Sequence, residues 1–167
     1  MRRKRLAWIV LPAAIVILVV VTFILSNYQK ELGIVGPGKG GRVAVAAAAE
    51  ARSAASGTGA GGYDAFSKSL AVAMVKLRSM PITNPAETRL EIALTNALDC
   101  LSASREAWRA ELDQAWDTAV DGSPGYWRTR HSALTEQPGG PLSAAQVREW
   151  SGAGADYWLG KALDLVE

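Results

Sequence analysis

One histidine and one cysteine stand in this chain of 167 residues. The histidine, His131, closes the run Tyr126-Trp127-Arg128-Thr129-Arg130-His131. A lone imidazole near carboxylates can serve as a general base, but no serine or cysteine is placed by spacing to receive its help. A metal site is equally unsupported, with no second histidine and no paired cysteine. The expectation is a structural or surface histidine, and no catalytic, cofactor or metal residues. Cys100, alone, cannot form a disulfide within the chain. It falls on the flank of a helical pattern and reads as a partly buried spectator thiol, with an intermolecular disulfide as the other use.

Gly33-Ile-Val-Gly-Pro-Gly38-Lys39 matches most of the phosphate-cradling pattern G-x-x-x-x-G-K. Gly40 stands where the magnesium-binding hydroxyl belongs, and the pattern needs a buried strand before it and a firm helix after it. Nucleotide binding is therefore not expected, nor is any other cofactor.

Trp108, Trp116, Trp127, Trp150 and Trp158 are accompanied by Tyr63, Tyr126 and Tyr157. Indoles fill cores, stack on sugars or anchor interfaces. Trp108 and Trp116 share a leucine stripe and read as core. Tyr126, Trp127, Arg128, Arg130, His131 and Trp158 are the candidate interaction residues.

These residues need elements to position them, and the first element concerns the membrane. Arg2, Arg3, Lys4 and Arg5 precede a stretch from Leu6 to Leu25 that carries no charge. Twenty helical residues cover roughly 30 Å, the thickness of a hydrocarbon core. A removable signal would have a shorter apolar run closed by A-x-A; here Ser26 to Lys30 follow, and the first such pattern lies near Ala44. The segment reads as a retained signal-anchor. The basic N-terminus then stays in the cytoplasm, and the rest lies outside, in the periplasm or at the cell exterior of a single-pass inner-membrane protein.

Glycines at 33, 36, 38, 40, 41, 57, 59, 61 and 62 surround an alanine run. Residues 26–62 read as a flexible Gly/Ala-rich tether, with a transient helix between Val43 and Ala55. Residues 63–167 have the length of one domain. They carry ten Lys and Arg against fourteen Asp and Glu, a net of −4, so no basic nucleic-acid footprint is present.

The domain shows helical periodicity and no strand alternation. Phe66, Leu70, Ala73, Met74 and Leu77 mark one helix between Tyr63 and Met80. Asn84-Pro85-Ala86-Glu87 reads as a helix start, with Glu87 reaching back to the cap. From Leu90 through Leu94, Ala97, Leu98, Leu101, Trp108, Leu112 and Trp116 to Ala119, one apolar phase persists, predicting a single helix from about 85 to 120. Asp99, Glu106, Asp113 and Asp117 fall on its opposite, solvated side, and Arg105 lies inside the apolar arc, where it snorkels to the edge. Gly122-Ser-Pro-Gly125 is a turn, residues 126–134 form a short helix, and Pro138-Gly-Gly-Pro141 is a loop. Ser143 to Gln146 is a second capping box, opening a helix that Gly152 and Gly154 interrupt before Ala155 to Val166 resumes.

The fold expected is all-α: a single transmembrane helix, a flexible tether and a small helical bundle of three to five helices around one long spine. The function expected is protein–protein interaction by the extracytoplasmic domain, as an accessory or scaffold subunit of a membrane or envelope complex. A glycan- or small-ligand-binding module using Tyr126, Trp127 and Trp158, and an enzyme built on His131 and a carboxylate, are the alternatives. The implied partners are the membrane through residues 6–25 and another envelope protein.

Overall fold

The computed structural model describes residues 36–113 and 142–167, together with Thr22, Ile24, Arg130, His131, Ala133 and Leu134. Four helices make up the bundle: α1 (Lys39–Ala54), α2 (Gly59–Arg78), α3 (Pro85–Leu112) and α4 (Ala144–Asp164). No strand occurs among the described residues. α3 packs most extensively on α4, and α1 on α2.

α3 is the spine. Asn84 Oδ1 accepts from the Glu87 amide at 2.9 Å, and Pro85 supplies a fixed φ at the first helical position. The helix runs through residues 102–104 without a break, as the unbroken apolar phase predicts. It ends at Leu112, capped by Asp113, eight residues short of the expected limit. Leu90, Leu94, Ala97, Leu98, Leu101 and Trp108 are buried as expected, and Trp116 and Ala119 lie outside the described residues. The buried surface is wider than that stripe, because Ala93, Cys100, Ala103, Ala107 and Ala110 are buried as well. Their side chains are too small to mark a face by hydropathy, but they let α4 approach closely.

The expected tether is the main correction. Residues 39–54 form a helix inside the bundle, with Ala44, Val45, Ala48, Ala51 and Ala55 buried at helical spacing. Alanine has the best helix propensity, so the run needs only a partner surface to become stable. The glycines provide that surface rather than slack. A Cβ on Gly41 would lie 2.7 Å from Leu90 Cδ2, and one on Gly62 would lie 3.2 Å from Trp108. Gly59 adopts φ +64°, the left-handed region, and turns the chain into α2.

α4 carries the second correction. Ser143 and Gln146 form the capping box from both sides, as predicted. The helix then continues through Gly152 and Gly154 to Asp164. The glycine at 154 marks a close approach to α3 and not a helix end.

The far end of the bundle, where α1 and α3 finish and α4 begins, is tied by Arg148. Its guanidinium sits 3.7 Å over the Trp108 ring and donates to the Ala55 and Gly57 carbonyls and to Glu111. The near end is tied by Glu87, which is buried. Its carboxylate accepts from the Thr83 amide at 2.7 Å, the Thr83 hydroxyl at 2.8 Å and the Gly38 amide at 3.3 Å. Burial pushes the Glu87 carboxyl upward, but these bonds outweigh it and hold the group below its ordinary value.

Candidate functional site

The expected interaction residues divide. Tyr126, Trp127 and Arg128 lie outside the described residues, whereas Arg130, His131 and Trp158 are described and lie close together. They meet on the flank of α3 that carries Asp99 and Glu106, seven residues and about two helical turns apart.

His131 is 4% exposed. Its Nδ1 lies 2.9 Å from Asp99 Oδ1, and its Nε2 lies 3.5 Å from Glu106 Oε2. An ionised carboxylate only accepts, so Nδ1 carries a proton and donates to Asp99. The second Asp99 oxygen accepts from the Ala133 amide at 3.2 Å, and Arg130 Nε pairs with Glu106 at 3.1 Å. On the other side, Trp158 Nε1 donates to the Ala133 carbonyl at 3.3 Å. Ala133 and Leu134 are buried beneath this turn. The arrangement fastens Arg130, His131 and Ala133 to α3, and Ala133 to α4 as well.

Two expectations change as a result. Asp99 and Glu106 are partners of His131 and Arg130, not a solvated face. Sequence periodicity placed them opposite the leucines but could not show which segment returns to cover them. Trp158 is half-buried and spends its indole N–H on a backbone carbonyl, with Tyr157 edge-on to it at 5.2 Å. Tyr157 is the exposed ring of the two.

Cys100 is fully buried, not partly so, and burial together with the neighbouring Asp99 charge pushes its thiol up to about 12. A buried neutral thiol is chemically inert, so an intermolecular disulfide at this position is ruled out in the folded chain. Arg105 is half-buried, and Trp108 is core, stacked on Phe66 and met edge-on by Tyr63.

Beside the fastened turn, a cleft of about 530 Å³ opens between α2 and α3. Met74 and Leu77 of α2, Met80 and Ile82 of the connecting loop and Leu98 of α3 form its apolar wall. Arg78, Glu91, Asp99 and Arg130 bring charges of both signs to it. No aromatic ring lines it among the described residues. This cleft was not foreseen, because Met74 and Leu77 read simply as core positions, whereas both are half-buried.

Among the described residues no group of three or more His, Cys, Asp or Glu side chains is arranged to hold a metal ion, and no helix is long and apolar enough to cross a membrane. The segment 6–25 lies outside the described residues apart from Thr22 and Ile24, which are helical. In comparisons with known proteins, the chain matches no family model, no curated protein and no solved structure.

Proposed function

We propose that the chain is a single-pass, membrane-anchored interaction protein whose extracytoplasmic bundle holds a partner protein of a membrane or envelope complex. The observation that carries this reading is the α2–α3 cleft. It combines an adaptable, methionine-bearing apolar wall with charges of both signs at its edge. Such a surface suits a partner's apolar side chain flanked by a polar rim, the usual anatomy of a protein interface.

The two alternatives have less support. A stacking site for sugars needs open aromatic faces, whereas the cleft wall is aliphatic and the Trp158 indole is tied to Ala133. A general base needs an accessible nitrogen, whereas both ring nitrogens of the buried His131 face carboxylates. Supporting the anchor are the basic residues 2–5, the uncharged run 6–25 and the exposure of Ile24, an apolar helical side chain that would otherwise face water. Anchoring raises the local concentration of the bundle at the membrane, so weak contacts become useful.

The test is co-purification of the full chain, tagged at its C-terminus, from membranes in mild detergent. Met74→Glu and Leu77→Glu variants, both in the cleft wall, provide the comparison. A stoichiometric protein that is retained by the natural chain and lost from both variants supports the reading. A natural chain that always purifies alone overturns it.

A further inference from the structure

The end of the bundle nearest the anchor has a composition of its own. The start of α1, the α2–α3 loop, the start of α3 and the end of α4 come together there. Gly38 N bonds Glu87, a Cβ on Gly40 would touch Pro81, and Gly36 lies 4.0 Å from the Leu165 carbonyl. Six exposed cations surround this end: Lys39, Arg42, Lys76, Arg78, Arg89 and Lys161. Against them stand the exposed acids Asp164 and Glu167 and the half-buried Glu91. The remainder of the domain is acidic, so the charge of the bundle is polarised toward the anchor.

Two features separate this from an ordinary solvated face. Among the described residues, every ion pair made by an arginine uses Arg52, Arg109, Arg130 or Arg148, all from the middle or the far end. The near-end cations make none. Lys76, Arg78 and Lys161 sit in last helical turns, where the helix dipole favours a cation. Lys39 and Arg42 do not: they occupy the first turn of α1, which contains no acid, and there the dipole opposes them. Beside them, Ile82 at the tip of the α2–α3 loop is 48% exposed, next to the exposed Pro81.

We propose that this end of the bundle rests on an anionic lipid surface, with the six cations against headgroup phosphates and Ile82 at the acyl boundary. The inference rests on the anchor reading above and assigns the bundle an orientation. Chain length agrees with it. Thirteen residues separate Leu25 from Lys39, and a chain of that length reaches at most about 50 Å. The start of α1 is therefore tethered within that reach of the anchor, and anionic headgroups attract basic residues brought close to them.

The experiment reconstitutes the full chain in vesicles of phosphatidylcholine, alone or with phosphatidylglycerol. An environment-sensitive fluorophore is placed on Ile82→Cys, or on Ser56→Cys at the far end; the buried Cys100 is spared by the label. The expected result is that, in phosphatidylglycerol vesicles, the probe at 82 is shielded severalfold from an aqueous quencher relative to the probe at 56. That shielding should vanish in phosphatidylcholine alone, in high salt, and in a Lys39→Gln, Arg42→Gln, Arg78→Gln variant. Equal quenching at both positions, with the chain resisting an alkaline wash, overturns the lipid contact and leaves the anchor standing. A chain that washes off overturns both. Shielding that follows protein density instead of lipid charge identifies a second copy as the occupant and also overturns the proposal.

Discussion

Gly154 of α4 faces the thiol of Cys100 on α3 so closely that a Cβ on the glycine would lie 3.0 Å from Sγ. Helix propensity and packing thus oppose each other at this position. Gly154→Ala gains up to about 1 kcal/mol of helix propensity, but it pushes a methyl group into a buried sulfur and toward Leu134 Cδ2 at 3.7 Å. Overpacking costs about 1–3 kcal/mol, so the variant is expected to be less stable in urea unfolding. At Gly160, where a Cβ meets nothing within 4 Å, the same change should stabilise. Adding Cys100→Ala to Gly154→Ala should recover stability, and the non-additivity measures the contact.

Glu87 makes stability depend on pH in a defined direction. Its carboxyl is held below the ordinary glutamate value in the folded chain, so folding favours the ionised form. The contribution is complete above the ordinary value and disappears as pH falls through the lowered one. Urea midpoints measured down the acid limb should therefore drop more steeply for the natural chain than for Glu87→Gln. At neutral pH that variant should be about 1–3 kcal/mol less stable, since an amide nitrogen replaces one of the two accepting oxygens.

The Cys100 thiol, pushed up to about 12, is expected to stay silent toward a thiol-disulfide reagent at pH 8 while the chain is folded, and to react fully in urea. The sign for stability is opposite to that of Glu87. The folded state keeps this proton longer than the unfolded one, so the contribution present below the ordinary thiol value is lost as pH rises from there toward 12. If labelling proceeds at the same rate folded and unfolded, the buried position of this helix flank is wrong.

Removing His131 distinguishes a fastening role from a catalytic one. His131→Ala takes away the bond to Asp99 and leaves that partly buried carboxylate with the Ala133 amide alone. A stability loss of about 2 kcal/mol is expected, together with faster proteolytic cleavage near residues 130–134. A catalytic histidine would instead leave both unchanged.

Large side chains made much of this fold legible in the sequence. The phase of Leu90 to Trp108, the Asn84 cap and the Ser143 box all follow from local rules, and each is found where those rules place it. Small side chains hid the rest. Gly41, Gly62 and Gly154 have the composition of linkers and breakers, and only the neighbours they admit, Leu90, Trp108 and Cys100, reveal them as packing residues. The same is true of α1, whose alanines carry little hydropathy signal one at a time but bury a continuous stripe together. The His131 cluster was illegible for a different reason. Asp99 and His131 are 32 positions apart, and nothing in either local pattern names the other.

Arg148 offers the sharpest test of how the far end is held. Its guanidinium carbon lies 3.7 Å from the centre of the Trp108 ring while its nitrogens reach two carbonyls of the α1–α2 turn and the Glu111 carboxylate. Lysine keeps the charge but cannot stack a planar group on the ring and serve three acceptors in fixed directions. Arg148→Lys is therefore expected to cost about 2 kcal/mol, the sum of a lost ring contact and an unpaired carbonyl. The comparison is Asp156→Asn, which breaks the bidentate pair with Arg52 at 2.7 and 2.8 Å. That pair is solvated, with Asp156 57% exposed, and its loss should cost under about 1 kcal/mol. Urea midpoints of the two variants rank the interactions directly: if Asp156→Asn is the more damaging, the α1–α4 contact, and not the Arg148 hub, secures this end of the bundle.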